Sequence, residues 1–121
     1  MYLLSIVEER KGMIQGRFDE YMVYVGGQPL DLAGSLKIRN HSPDGFMWGY
    51  GGSGPSQLAL ALLLHFGATA QEALSWYQTF KGEIIAQLPQ TDFEMQESVV
   101  VDWLEARRIF SQELEHGQPT E

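Results

Sequence analysis

The sequence predicts an α+β fold in which a small, mostly antiparallel sheet packs against three helices. Three observations support this prediction: β-rich runs fill the first third of the chain, helical periodicities fill most of the rest, and glycine or proline stands at many junctions. The 121 residues suit one domain, so we expect a single domain over 1–121 whose tail frays from about residue 117.

Strands are expected first. Four runs share an apolar, β-rich composition and cover residues 2–7, 13–18, 21–25 and 28–30. The glycine pair at 26–27 suits a two-residue hairpin turn, because glycine accepts positive φ. Residues 36–39 alternate apolar and basic side chains, which predicts a half-buried strand. Phe46, Trp48 and Tyr50 stand at alternate positions, which predicts a further strand with one aromatic face.

The first helix is predicted to begin at Pro55, since a proline at the first helical position loses no hydrogen bond. Gly54 is then the N-cap, and Gln57 would reach back to it. Residues 58–66 are apolar nearly all round, which indicates a central helix that is covered on most sides.

Two further helices follow. Thr69 and Glu72 form a predicted capping box, and the helix that they open is stopped by Pro89. A short strand over 91–95 separates it from a third helix capped by Ser98. The third helix has one apolar face, made of Val99, Trp103, Ala106, Phe110 and Leu114.

Charge is unevenly distributed along the chain, whose net charge is −8. Residues 49–80 carry one charged side chain, whereas residues 81–121 carry nine acids and three bases. Direct binding to nucleic acid is therefore not expected, because that binding depends on cations that meet phosphates. An acidic surface would instead attract a basic partner.

The composition also indicates the compartment. No cysteine is present, which excludes disulfides, thiolate nucleophiles and cysteine-based zinc sites, and fits a reducing compartment. The N-terminus lacks a basic region before its short apolar run, and the longest apolar run, 58–64, is too short to span a membrane. A soluble, cytoplasmic protein without membrane contact is expected.

A glycine-rich segment contains G-x-G-x-x-G at Gly49, Gly51 and Gly54. The dinucleotide-binding pattern needs a second parallel strand after the helix, and here another capped helix follows. The P-loop pattern fails as well, since Pro55 and Ser56 follow Gly54. Two interpretations remain: a tight structural corner, or an anion or nucleotide pocket formed by the helix start. The pocket would be lined by Trp48, Tyr50, Gly51, Gly52, Ser53 and Gly54.

A polar segment precedes the glycines and contains Asn40, His41, Ser42 and Asp44. Neighbouring residues point apart, so these do not form a Ser-His-Asp triad. Turn formation at Ser42-Pro43-Asp44-Gly45 explains Ser42 and Asp44, whereas His41 is a candidate general base or partner contact. Neither a metal nor a cofactor is predicted, and no residue is assigned a catalytic role.

The acidic C-terminal region supplies a different kind of candidate. Glu97 directly precedes the predicted cap Ser98, and Asp102 and Glu105 fall within the third helix; the three acids form a predicted partner face. Such a face is usually only solvated, but it can also imitate a phosphate strip and occupy a basic channel of another protein.

The segment NHSPDGFxWGYGGSGPxQLALA at 40–61 resembles a small family found in bacteria, phages and mobile elements, known as a domain of unknown function. The similarity extends over about residues 21–104 and includes Ala73, Tyr77, Gln78, Phe80, Lys81, Leu88-Pro89, Val101, Trp103 and Leu104. The resemblance implies no established activity, cofactor or catalytic residue. A mobile-element origin implies a protein that binds or inhibits a host factor.

Three functions are therefore carried forward. The favoured one is an accessory protein of a phage or mobile element that binds a host or defence protein, with inhibition of that protein as one form of the hypothesis; a homodimer is an alternative assembly. The second is a small-ligand or nucleotide-binding protein that uses the glycine-rich loop at 49–54. The third, least favoured, is an enzyme that uses His41 and Asp44.

Overall fold

The structure, a computed structural model, describes residues 11–116, except for the side chain of His116. The strand expected over 2–7 and the tail from 117 lie outside the described residues. The strands are β1 Met13–Arg17, β2 Met22–Val25, β3 Gln28–Pro29 and β4 Phe93–Gln96. The helices are α1 Leu32–Ile38, α2 Ser53–His65, α3 Ala70–Glu83 and α4 Glu97–His116. The predicted α+β class is confirmed, with one helix more than expected.

The four strands form an antiparallel sheet in the order β3-β2-β1-β4. The hairpin predicted at 26–27 is confirmed, and the short strand predicted near 91–95 pairs with β1 as β4. At the centre, Gly16 lies opposite Val23 and Phe93. A Cβ added at Gly16 would lie 2.2 Å from the Phe93 ring, so packing across the sheet requires glycine there.

Helix α2 is the centre of the molecule, as its all-round apolar sequence predicts. Every residue from 54 to 63 is buried, and α1, α3, α4 and the 3-10 segment Ile85–Gln87 all contact it. The buried side of the sheet, which includes Ile14, joins α2 in one core cluster. A helix enclosed in this way needs no polar face.

Local signals set the start of α3. Thr69 accepts from the amide of Glu72 at 3.0 Å, and the Glu72 carboxylate accepts from the amide of Thr69 at 2.9 Å, which confirms the capping box. The helix ends at Glu83, and a 3-10 turn carries the chain to Leu88.

Two predicted strands are wrong. Residues 36–39 belong to the end of α1, which begins after Asp31 because the Asp31 carboxylate accepts from the Gly34 amide at 2.9 Å. Residues 46–50 form no strand either. Phe46 and Trp48 are buried, but Gly49 turns the chain with φ 86, so Tyr50 is 45% exposed.

The start of α2 also differs from the prediction. Gly52 is the N-cap, two residues before the expected Gly54, and Pro55 is the third helical residue. Gln57 therefore lies beyond the first turn and bonds to other segments instead of the cap. Proline is still tolerated at this position, because the first-turn amides have no partner within the helix.

Only part of the predicted apolar face of α4 is packed. Val99 and Trp103 pack against the core, beside the fully buried Val100 and Leu104. Phe110 and Leu114 are 46% and 55% exposed. The helix was predicted correctly, but Ala106, Phe110 and Leu114 of its predicted apolar face are exposed.

The second half of α4 is held to the start of α3 by an ion pair. Arg108 donates to both carboxylate oxygens of Glu72, at 2.8 and 2.9 Å, and to the carbonyl of Gly67 at 3.0 Å. The bonds from Arg108 to the carboxylate, followed by the bond from the Thr69 amide, lower the pKa of Glu72 to about 2. Within the described part of the chain, every helix is too short or too polar to cross a membrane.

Candidate functional site

Gln57 organises the polar segment that the sequence singled out. Its side chain is fully buried in α2 and makes four hydrogen bonds. The carbonyl oxygen accepts from the amides of His41 and Ser42 at 2.7 and 3.0 Å. The amide nitrogen donates to the hydroxyl of Ser35 at 2.9 Å and to the carbonyl of Arg39 at 3.0 Å. One side chain thus fixes the path of the chain from α1 into the glycine-rich segment.

The polar residues around His41 differ in exposure. Asn40 and Asp44 are exposed, and Ser42 donates to the carbonyl of Gly45 at 2.8 Å, so it closes the predicted turn. Gly45 is buried against Tyr21, whose carbonyl accepts from Phe46.

Trp48 belongs to the core of the corner. It is fully buried, its indole nitrogen donates to the carbonyl of Thr91 at 2.8 Å, and Phe18 and Phe93 contact its ring edge to face. Gly49 then approaches the backbone of Leu88 so closely that a Cβ would lie 2.9 Å from its carbonyl oxygen. These contacts support the structural-corner interpretation for Trp48 and Gly49.

His41 is paired with a residue that the sequence did not assign to the site. Its Nε2 lies 2.7 Å from the hydroxyl of Tyr77, which is buried on α3. Burial, followed by the charges of Arg39 and Lys81, lowers the pKa of His41 below its ordinary value. A neutral imidazole is therefore favoured at neutral pH. The role of His41 and Asp44 in catalysis stays a prediction.

Lys81 is the second residue that sequence reasoning missed at this site. It lies on α3 one turn after Tyr77, and its ammonium donates to the hydroxyl of Ser56 at 3.1 Å. Ser56 in turn donates to the carbonyl of Gly52 at 3.0 Å. A lysine thus stands at the N-terminal turn of α2, where the helix dipole is positive. That turn contains no acidic residue and no side-chain cap.

The remaining glycine-loop candidates surround this positive end. The exposed ring of Tyr50 covers Gly52, because a Cβ added at Gly52 would lie 2.4 Å from it. Gly51 and Ser53 are exposed, and Gly54 is buried against Met47. The fold therefore brings Tyr50, Gly51 and Ser53 to the surface beside Lys81 and the N-terminal end of α2.

The predicted acidic face is divided between two environments. Asp102 and Glu105 are exposed on α4, whereas Glu97 is half-buried near Gly26. The amide of Glu97 also donates to the carbonyl of Gly12 at 2.8 Å, which fixes the start of α4.

A cleft lies between the end of α3 and the exposed part of α4. It has a volume of about 240 Å³ and is lined by Glu83, Trp103, Ala106, Arg107 and Phe110. Trp103 donates to the carboxylate of Glu83 at 2.8 Å, and the Arg107 guanidinium lies 5.0 Å from the centre of the Phe110 ring. The buried Nε of Arg107 has no hydrogen-bond partner among the described residues. The cleft therefore combines the aromatic residues Trp103 and Phe110 with the charged residues Glu83 and Arg107.

No group of three His, Asp or Glu residues within 11–116 is arranged to hold a metal ion. The polar groups at the start of α2 are suited instead to hold an anion, and the cleft on α4 is suited to hold an apolar side chain.

Comparison with known proteins gives one match. A search of curated proteins and a search of solved structures each found no match. The model of the family of unknown function DUF6166 matches residues 11–106, so the match begins at residue 11 rather than at about residue 21. Because this span covers most of the chain, the protein belongs to the DUF6166 family.

Proposed function

We propose that the protein is a small binding module that acts on another protein through the exposed part of α4. The observation that carries this proposal is the cluster of aromatic and aliphatic side chains around Arg107 there. We call this cluster the α4 face, and it comprises Trp103, Ala106, Arg107, Phe110 and Leu114.

The composition of the α4 face matches that of binding surfaces. Tryptophan, phenylalanine and arginine are enriched in protein interfaces, and tryptophan and arginine in particular dominate binding energy when buried there. Phe110 is 46% exposed although it stands one turn from Arg107, which contacts its ring. A protein partner that covered this ring would remove its apolar surface from water, which favours association.

The expected partner is a host or defence protein. The resemblance to a family found in bacteria, phages and mobile elements supports this expectation, and so does a net charge of −8 on the chain. An acidic accessory protein of a phage or mobile element would inhibit a basic target by occupying its binding surface.

A pull-down from host lysate tests the proposal. Tagged protein is expected to retain one stoichiometric partner, and Phe110→Glu is expected to release it because a carboxylate then replaces the exposed ring. Ala33→Glu is the matched control, since Ala33 is exposed on α1 and far in sequence from α4. The proposal is contradicted if nothing co-purifies stoichiometrically, or if the partner persists with Phe110→Glu.

A second candidate function is favoured by one specific observation, the position of Lys81. A cation at a helix N-terminus is electrostatically unfavourable. An anion bound there would be stabilised by the helix dipole and by the lysine together. Together with Tyr50 and Gly51, this arrangement supports binding of a small anionic ligand such as a nucleotide.

Native mass spectrometry of the purified protein tests this candidate. A bound mass is expected on the wild type and should be lost with Lys81→Met. Gly52→Val is less informative, because its side chain would displace the Tyr50 ring. Lys37→Met, at an exposed position on α1, is the control. A mass that persists unchanged with Lys81→Met would exclude the ligand from this end of α2.

A further inference from the structure

We propose that a cavity between α1 and α2 binds a small apolar molecule that carries a primary ammonium group. The cavity has a volume of about 320 Å³. Small-molecule sites have volumes of about 300–1,000 Å³, so this one suits a ligand at the small end of that range. The residues of α2 that line it belong to the C-terminal half of that helix, and no residue of α4 or of the glycine-rich segment does so. The inference therefore goes beyond both candidate functions above.

Apolar side chains from both helices form the floor of the cavity. Ile38 of α1 and Leu64 of α2 are half-buried there and pack against the core, and Ala61 is buried beside them. A ligand that covered the exposed parts of Ile38 and Leu64 would remove apolar surface from water, which favours binding. The floor therefore suits a hydrocarbon body.

Asp31 supplies a carboxylate that is exposed and belongs to the lining of the cavity. Its Oδ1 accepts from the amide of Gly34 at 2.9 Å, and its Oδ2 has no hydrogen-bond donor among the described residues. A Cβ added at Gly34 would clash with this Oδ2. Glycine is unfavourable inside a helix, but at this position it leaves room for the carboxylate beside the cavity. A charged acceptor is thus within reach of a ligand that occupies the floor.

The other polar groups of the lining determine which ligand the carboxylate would hold. The hydroxyl of Ser35 is buried, donates to the carbonyl of Leu32 at 2.7 Å and accepts from Gln57 at 2.9 Å, so it offers a ligand no donor. A carboxylate can only accept. The ligand must therefore donate, and an ammonium group does so most strongly because its bond to a carboxylate is charge-assisted.

Charges near the cavity favour a cation as well. His65 lines the cavity in the last turn of α2, where the helix dipole is negative. Its neutral imidazole has one acceptor nitrogen for an ammonium group, whereas its protonated form would repel that group. Lys37 is exposed and lies about 100° from Ile38 around α1, and Arg39 follows the end of α1. Neither basic residue lines the cavity, so Asp31 determines its charge when His65 is neutral.

A nuclear magnetic resonance titration of the isotope-labelled full-length protein tests the proposal at pH 7.5, where most histidine side chains are uncharged. The probes are 2-phenylethylamine, 2-phenylethanol and 3-phenylpropionate, which all have a phenyl ring on a two-carbon chain. The chain ends in an ammonium, a hydroxyl or a carboxylate group. The amine is expected to bind with a Kd of about 1 mM and to shift the amide signals of α1 and of the end of α2. The alcohol should bind about tenfold more weakly, and the carboxylate should cause no shift.

One variant assigns the preference to Asp31. Asp31→Asn is expected to lower the affinity for the amine about tenfold, to that of the alcohol, and to leave the affinity for the alcohol unchanged. Asparagine caps a helix as well as aspartate does, so α1 should be retained, and an unchanged melting curve verifies this. Asp44→Asn is the matched control, because it removes the same charge at an exposed residue outside the lining. It should change no affinity.

Each other outcome overturns the proposal. Equal binding of the amine and the alcohol would refute the ammonium group, and an equal loss with Asp44→Asn would reduce the preference to an effect of net charge. Shifts confined to other elements, or no shift with any probe at about 10 mM, would refute the site. Nα-acetyl-lysine N-methylamide presents a lysine side chain as a protein does. If it binds as tightly as 2-phenylethylamine, the occupant is a lysine of a protein partner and not a small molecule.

Discussion

Replacing Gln57 by leucine is the most informative perturbation of the fold around the glycine-rich segment. Leucine is similar in size and suits the buried environment of α2, so the substitution leaves little cavity. It removes all four hydrogen bonds that this side chain makes, to Ser35, Arg39, His41 and Ser42. The partners remain in place without their bonds.

The expected loss follows from these contacts. Four hydrogen bonds at a net value of about 1 kcal/mol each give about 4 kcal/mol. Leucine buries more apolar surface than glutamine, which stabilises the variant by about 1 kcal/mol. The gain is small because two carbons of the glutamine side chain are already apolar. We therefore expect the free energy of unfolding to fall by about 3 kcal/mol.

Urea denaturation of Gln57→Leu and of the matched control Gln78→Leu measures this loss. Gln78 is exposed in the middle of α3, so its substitution should change stability by less than about 0.5 kcal/mol. Hydrogen exchange adds a local readout, because the amides of His41 and Ser42 should exchange faster in Gln57→Leu. If Gln57→Leu were as stable as the control and exchanged at the wild-type rate, Gln57 would not hold this segment in place.

Three further predictions concern the sheet, the helix cap and the ion pair. Gly16→Ala should lower the free energy of unfolding in urea by about 1–3 kcal/mol, because the Phe93 ring must move; no loss would mean that the sheet relaxes freely. Thr69→Ala should cost about 1 kcal/mol in the same assay, and a neutral result would deny the capping box a stabilising role. Glu72 has a pKa of about 2 in the folded protein against an ordinary 4.5, so its contribution is present above pH 4.5 and is lost as the pH falls toward 2. The stability difference between wild type and Glu72→Gln should therefore shrink over that range, and a difference independent of pH would contradict the ion pair with Arg108.

Local signals were sufficient for most of the fold. The hairpin at 26–27, the capping box at Thr69 and the apolar helix α2 each depend on residues close in sequence, so they were predictable. The helix α1 was missed because residues 36–39 alternate as a strand would. The cap that decides between helix and strand, Asp31, lies upstream of that window.

The candidate site was less predictable, because its partners come from distant parts of the chain. Lys81 is 25 residues from Ser56, and Tyr77 is 36 residues from His41. Tyr77 and Lys81 are four residues apart on α3, so the sequence indicates that they share a face of that helix. It does not indicate which element packs opposite that face. The same limit applies to α4, where periodicity predicted one apolar face but only its first half is packed. Periodicity contains no information on whether the covering surface belongs to the same chain.

Gly51 separates the requirements of folding from those of function. Its φ is not in the left-handed region, and a Cβ added there would meet nothing within 4 Å, so the fold does not require glycine. Glycine instead costs conformational entropy on folding, and Gly51→Ala should stabilise the protein by about 0.4–1 kcal/mol. A glycine that the fold does not require, beside the exposed Tyr50 ring, is explained if another molecule approaches the backbone closely at this position. If Gly51→Ala is both more stable and deficient in ligand binding, the start of α2 is a binding site. If it is more stable and binding is unchanged, neither the fold nor a ligand requires glycine at 51.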